Sequence, residues 1–231
     1  MNLASGLDIL FPPRCSVCDR VLPFGRRGAC PECLKRLPWI TEPRCFCCGK
    51  TVEREEAEYC GDCARKKHLF RRAFPLLQYV PPVSDALTAL KYHGRAEYAE
   101  FYGGLLAEHF HEELKALDAD CLVPVPVHPH RLRKRGYNQA GLIARAMSKK
   151  LGIPVREDLL LRAEDTVAQK KLSREERALN LRAAFQAGEE TPPPTVLLVD
   201  DILTTGATAD ACADVLLRAG AKHIYLVTVS A

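Results

Sequence analysis

The rhythm of hydrophobic and polar positions changes about a third of the way along this 231-residue chain. From residue 70 onward, short apolar runs alternate with stretches of helical period. The predicted strands are 72–80 (RAFPLLQYV), 121–127 (CLVPVPV), 195–199 (TVLLV) and 223–230 (HIYLVTVS). Between them SDALTALKYHG reads as a short helix, with Ser84 as candidate cap. AEYAEFYGGLLAEHFHEELKAL reads as one longer helix, weakened by Gly103 and Gly104. NQAGLIARAMSKKLG is amphipathic, capped by Asn138 and ended by Gly152, and ATADACADVLLRAG is ended by Gly220. Strands that are apolar throughout and alternate with helices predict a parallel sheet covered on both faces.

The first 68 residues follow another logic. MNLASGLDILFPPRC reads as a short amphipathic helix stopped by Pro12 and Pro13. It has no basic n-region, carries Asp8 and lacks an apolar stretch of signal length, so it is not expected to be a targeting segment. No apolar run reaches the roughly 18 residues of a membrane span. A cytoplasmic protein without membrane insertion is expected. Eleven cysteines are present, and nine of them precede residue 64, which in a chain without a secretory signal points to metal rather than disulfides.

These cysteines form CxxC pairs: Cys15/Cys18, Cys30/Cys33, Cys45/Cys48 and Cys60/Cys63. The last four repeat the first four at a spacing of 30 residues. Two knuckles a dozen residues apart can present four thiolates as a tetrahedron, as a closed structural Zn²⁺ site requires. A ribbon of this size has no core of its own, so metal supplies its folding energy. Sequential quartets follow from the repeat, although the spacing also admits a crossed arrangement. Cys47 is left over beside Cys48 and reads as a spare thiol, with a rival ligand as the alternative. CGKT at 48–51 imitates part of a P-loop, but Arg44 stands where that motif needs its first glycine.

The net charge of +4 does not by itself argue for nucleic acid. Residues 1–68 hold 12 basic and 9 acidic side chains. Two Zn(Cys)4 centres, at about −2 each, bring this module near neutral. Residues 128–150, in contrast, hold seven Lys and Arg and no acid. Arg131, Arg133, Lys134 and Arg135 crowd into a loop that follows a strand, in VPVPVHPHRLRKRGYNQA. Such a segment suits polyphosphate or nucleic acid.

The second notable loop is DDILTTGAT. Ligands bind such sheets at the C-terminal strand ends. Asp200 and Asp201 close a strand, and Thr204, Thr205, Gly206, Ala207 and Thr208 turn into a helix. Small residues aim backbone N–H groups inward at a helix N-terminus, which suits one phosphate. Paired carboxylates beside it suit a vicinal diol, so a ribose 5-phosphate fits both halves.

Together these residues resemble the ComF family, over nearly the whole chain. VLLVDDILTTGAT resembles the phosphoribosyl-pyrophosphate (PRPP) motif, and VPVPVHPHRLRKRGYNQA is similar to the family's pyrophosphate-loop segment. RAEDTVAQKKLSREERALNLRAAF resembles a third stretch, carried by Arg162, Thr166, Gln169, Leu172, Arg177, Asn180 and Phe185. The resemblance implies a double zinc ribbon in 1–68 and an α/β domain of type I phosphoribosyltransferase fold in 69–231. It implies that Asp200 and Asp201 hold the ribose hydroxyls, directly or through Mg²⁺, and that residues 204–208 hold the 5-phosphate. Pro126, Arg131 and Arg133 would meet the pyrophosphate, with Arg135 and the acid pair as catalytic residues. Gln169, Arg177 and Asn180 would belong to a flexible loop that covers the substrate. The family further implies natural competence, handling of single-stranded DNA during uptake and transformation, and a helicase partner. The phosphoribosyl acceptor stays open, since no base-reading hood is evident and the ribbons are the candidate for its place. A non-catalytic nucleic-acid-binding protein, using the pocket as sensor or phosphate groove, is the alternative. Tyr137 is the only aromatic near the basic segment, which would leave such binding mostly electrostatic.

Overall fold

The computed structural model describes residues 11–54, 56–163 and 183–231. The expected N-terminal helix and the loop residues Thr166, Gln169, Leu172, Arg177 and Asn180 lie outside them. The described elements are α1 (Pro31–Lys35), α2 (Gly61–Arg65), β1 (Ala73–Leu77), α3 (Val83–Tyr92), α4 (Tyr98–His109), α5 (His111–Ala116), β2 (Cys121–Pro124), α6 (Pro129–Arg135), α7 (Gln139–Leu151), β3 (Leu160–Arg162), β4 (Phe185–Ala187), β5 (Thr195–Ile202), α8 (Ala207–Ala219) and β6 (His223–Ser230).

The four apolar runs become a parallel sheet in the order β1-β6-β5-β2. β5 and β6 are central and buried on both sides. Leu197 and Val199 of β5 pack with Leu87, Leu106 and Ile143 from α3, α4 and α7. Val196 and Leu198 point to the other face, onto Cys212 and Leu216 of α8 and onto Leu160 and Phe185 of the antiparallel β3–β4 hairpin. This is the period-two alternation of a strand with apolar layers on both faces. Cys121 and Cys212 are buried here as small hydrophobes.

The N-terminal module straddles the exposed edge of this sheet. Residues 38–40 pair antiparallel with β1: the Ile40 amide donates to the Leu76 carbonyl at 3.1 Å, and the Gln78 amide to the Pro38 carbonyl at 2.8 Å. An unpaired edge is thereby covered. Cys15, Val17, Leu22 and Ala29 of the first ribbon join the α4 side of the core. Cys45, Cys48 and Val52 of the second ribbon join the α8 side.

Three helix expectations change. The long helix over 96–117 is two helices, α4 and α5, because Phe110 between them leaves helical geometry (φ −104°, ψ 23°). Its buried ring packs edge-on against Phe74 of β1 at 5.6 Å. Ser84 is not a cap: α3 starts at Val83 after Pro82, and the Ser84 amide donates to Val80. Gly103 does not weaken α4 against its surroundings. A Cβ there would lie 2.6 Å from the Ile143 carbonyl oxygen and from Ala146 Cβ, so this glycine lets α4 and α7 approach closely. A Cβ on its neighbour Gly104 meets only the flexible end of Lys150, at 3.3 Å.

Adjacent glycines therefore predict opposite results. Gly103→Ala forces apart two packed backbones and is expected to cost about 1–3 kcal/mol. Gly104→Ala gains helix propensity, and up to about 1 kcal/mol of stability is expected. Chemical denaturation of the two variants, compared at constant m-value, checks both signs.

Candidate functional site

The cysteines settle into two sequential clusters. Sulfurs of Cys15, Cys18, Cys30 and Cys33 lie within 4.8 Å of one another, as do those of Cys45, Cys48, Cys60 and Cys63. The Cys18–Cys30 and Cys48–Cys60 sulfurs are 3.9 and 3.6 Å apart. A tetrahedron with Zn–S bonds of 2.3 Å has edges of about 3.8 Å. The two tetra-cysteine sites thus fit two structural zinc ions. Cys47 belongs to neither cluster.

The 30-residue repeat is reproduced bond by bond. The Cys15 amide donates to the Arg20 carbonyl, and the Cys45 amide to Lys50, both at 2.8 Å. Arg14 bridges Val21 as Arg44 bridges Thr51. Burial pushes the Cys15 and Cys45 thiols up, but backbone amide donors outweigh it and bring each down to about 7. A thiol so placed readily becomes the thiolate that metal requires. The ribbons differ at the residue after the second knuckle cysteine. There Asp19 and Gly49 both take left-handed backbone (φ 58° and 68°). Asp19 reaches the Tyr98 hydroxyl and Arg95 beside α4. Gly49 lies flat against Ala73 and Pro75 of β1.

At the opposite end of the chain, β5 carries its two acids to the C-terminal rim of the sheet. A cavity of about 260 Å³ opens there between the ends of β2 and β5. Asp200, Asp201, Thr204 and Thr208 form one side, and Pro126, Arg131 and Arg135 the other. The basic segment around 129–135 is helix α6 rather than loop. It is capped by His128, whose Nδ1 accepts the His130 amide at 3.1 Å, and ended by Gly136 in left-handed geometry. Arg131 and Arg135, four residues apart, share the face that lines the cavity. Arg133 sits on the exposed side of the same helix and does not line it. Thr205 is exposed, while Gly206 and Ala207 line a small niche continuous with Asp200 and Thr208.

The sequence reading missed Lys91, Tyr92 and Gln139. Lys91, at the end of α3, forms an ion pair with the buried carboxylate of Asp201. Gln139 Nε2 donates to the other Asp201 oxygen at 3.5 Å, and Gln139 Oε1 accepts from the Arg135 guanidinium. Arg135 also sits over the Tyr92 ring at 5.5 Å. The Tyr137 hydroxyl donates to the Leu90 carbonyl at 2.6 Å and so fixes the end of α3 that presents Lys91. Burial, then the charge of Asp201, push the Asp200 carboxyl well above the usual carboxylate range, with Lys91 opposing. Lys91, Arg131, Arg135 and Arg162 bring four cations against two acids. Such a cavity favours an anionic ligand that also offers hydroxyls or a cation to the acid pair.

Known proteins resemble both parts. Residues 6–64 match the double zinc ribbon domain. The chain is 30% identical over 222 residues to competence protein F of Haemophilus influenzae, covering 92% of this chain and 94% of that one. DNA utilization protein YhgH of Escherichia coli is 30% identical over 218 residues, with 93% and 95% covered. Competence protein ComFC of Streptococcus pneumoniae is 30% identical over 198 residues, with 84% of each covered. Among solved structures, the allosteric regulatory enzyme of purine biosynthesis aligns with 58% of this chain and 25% of its own, at 21% identity and a TM-score of 0.40.

Fold and sites together define a double-ribbon α/β protein with a cation-lined cavity at the strand ends. The chain belongs to the ComF family of competence proteins. Among the described residues, no helix is long and apolar enough to cross a membrane.

Two outcomes are expected. Elemental analysis of purified protein should find two zinc ions per chain, falling to one in Cys18→Ser and in Cys48→Ser. A carboxyl whose folded pKa is raised binds more protons folded than unfolded, so its cost to stability is absent below about pH 4 and grows as pH rises toward the folded value. Asp200→Asn removes that cost. Its melting temperature should exceed the parent's near neutral pH, and the gain should vanish as the pH is lowered to about 4.

Proposed function

We propose that the strand-end cavity binds PRPP with Mg²⁺, in a protein that handles single-stranded DNA during competence. The single observation that carries the reading is one cavity that brings Asp200 and Asp201 together with Arg131, Arg135 and Lys91. The acids suit ribose hydroxyls, the backbone of 204–208 suits a 5-phosphate, and the cations suit pyrophosphate. Asp200 and Asp201 are hard oxygen donors of the kind Mg²⁺ takes, and the ion would neutralise charge on a departing pyrophosphate. The remaining contributions come from the chain itself. Arg135 is held by Gln139 and Tyr92, so it meets developing negative charge without reorganising. Lys91 pairs with Asp201 and orients it before ligand arrives. Transfer of phosphoribose to an acceptor is the reaction that suits this arrangement.

The names of the relatives, competence protein F and DNA utilization protein, support the DNA half of the reading. Arg133 and Lys134 lie exposed on the outer side of α6, where they can meet phosphates of a strand while Arg131 and Arg135 face the cavity. This placement also favours the second reading, in which the protein binds nucleic acid without catalysis and the cavity serves as sensor.

Calorimetric titration with Mg-PRPP tests the cavity. The parent should bind, and Asp200→Asn or Arg131→Ala should weaken binding about tenfold or more. Unchanged affinity in Asp200→Asn rejects the assignment. Titration of labelled single-stranded DNA at two salt concentrations tests the outer face. Arg133→Ala with Lys134→Ala should lower both affinity and its salt slope, with PRPP binding intact.

A further inference from the structure

The phosphate loop at 204–208 is held from outside its own domain. Lys50 Nζ donates to the Thr204 carbonyl oxygen at 2.6 Å. Gly206 takes left-handed backbone, and a Cβ there would lie 2.6 Å from His68 Cε1. The His68 ring therefore rests directly on the loop backbone. It stacks on Phe70 at 4.6 Å, and its Nδ1 lies 3.0 Å from an Asp210 carboxylate oxygen. Asp210 belongs to the first turn of α8, and its own amide donates to the Gly206 carbonyl at 2.8 Å. The loop is thus fixed at Thr204, at Gly206 and at the helix behind it. Lys50 belongs to the second ribbon, and His68 follows within a few residues of its last cysteine.

The charges fit this arrangement. A carboxylate in the first turn of α8 suits the helix dipole but would repel a phosphate at the same terminus. Asp210 is turned the other way, toward donors of the segment that follows the second ribbon: Lys66 Nζ at 2.6 Å, the Leu69 amide at 2.9 Å and His68. Burial raises its carboxyl, but these donors outweigh that and hold it below the usual carboxylate range. Neither Lys50 nor His68 lines the cavity or the niche beside it.

We propose that Lys50 and His68 are positioning residues, through which the second zinc ribbon holds the 204–208 loop in its phosphate-binding shape. The inference rests on the reading of the cavity as a PRPP site. It gives the ribbon a role in ligand affinity without any contact to the ligand. Because the clamp acts on one loop, it governs the sugar 5-phosphate and leaves the pyrophosphate side, on α6, untouched.

That asymmetry supplies the test. The full-length zinc-loaded protein is titrated separately with ribose 5-phosphate and with Mg-pyrophosphate, as parent, Lys50→Met, Lys50→Arg and His68→Ala. Lys50→Met and His68→Ala should weaken ribose 5-phosphate about tenfold while pyrophosphate affinity holds within about twofold, and Lys50→Arg should restore it. Lys50 is partly exposed, so Lys50→Met keeps the test decisive even where His68→Ala fails to fold. Equal loss of both ligands indicates general loosening and overturns the positioning role, as does unchanged ribose 5-phosphate affinity in Lys50→Met. A parent that binds neither ligand instead rejects the PRPP assignment itself, and this inference with it.

Discussion

Burial of β5 on both faces is the constraint on which the rest depends. Four consecutive apolar residues, Val196 to Val199, are fully buried between two helical layers. Charged side chains have no place along that run. The two acids can stand only where the strand leaves the core, at its C-terminal end. There β2 and α6 have also arrived, and the acids meet arginines, a lysine and the turn into α8. The chemistry of the cavity is thus a product of the core: the strand that cannot hold charge delivers it, concentrated, to one rim.

The ribbons solve a different problem at the sheet's edge. β1 would present unpaired backbone groups, and residues 38–40 pair with it. One structural repeat then serves two environments. Its first copy uses Asp19 to grip the α4 side through hydrogen bonds and charge. Its second copy has Gly49 at the same place and uses close backbone contact with β1. The two copies share one internal pattern of hydrogen bonds, and the position after the second cysteine is one place where their docking diverges.

Legibility followed the range of the forces involved. Cysteine spacing is local chemistry, so the eight ligands and their repeat could be read directly, while the choice of sequential over crossed quartets came from the structure. The parallel strands are apolar runs, so all four were found, as were the caps at Asn138, Gly152 and Gly220. What failed was set by distant partners. The break at Phe110 answers to Phe74, and the value of Gly103 to Ile143. Helix α6 has no buried face, so its pattern resembled a basic loop. Within the site, Asp200, Asp201, Arg131 and Arg135 were legible from their loops. Lys91 was not, because an ordinary lysine at a helix end becomes a site residue only when the topology sets α3 beside β5. Arg133 was placed with its neighbours by sequence, whereas helical geometry turns it outward.

The pairing of β1 with β6 has a consequence for synthesis. Ala73 lies beside Leu226, so the first strand waits for the last, about 150 residues later. At ribosomal speeds of about 5–20 residues per second, that interval is about 8–30 s. Through it the two ribbons have no sheet edge to clasp and no core to join, and each must stand on its metal alone. Zinc supply therefore acts on this protein at birth, before any pocket exists to receive a ligand.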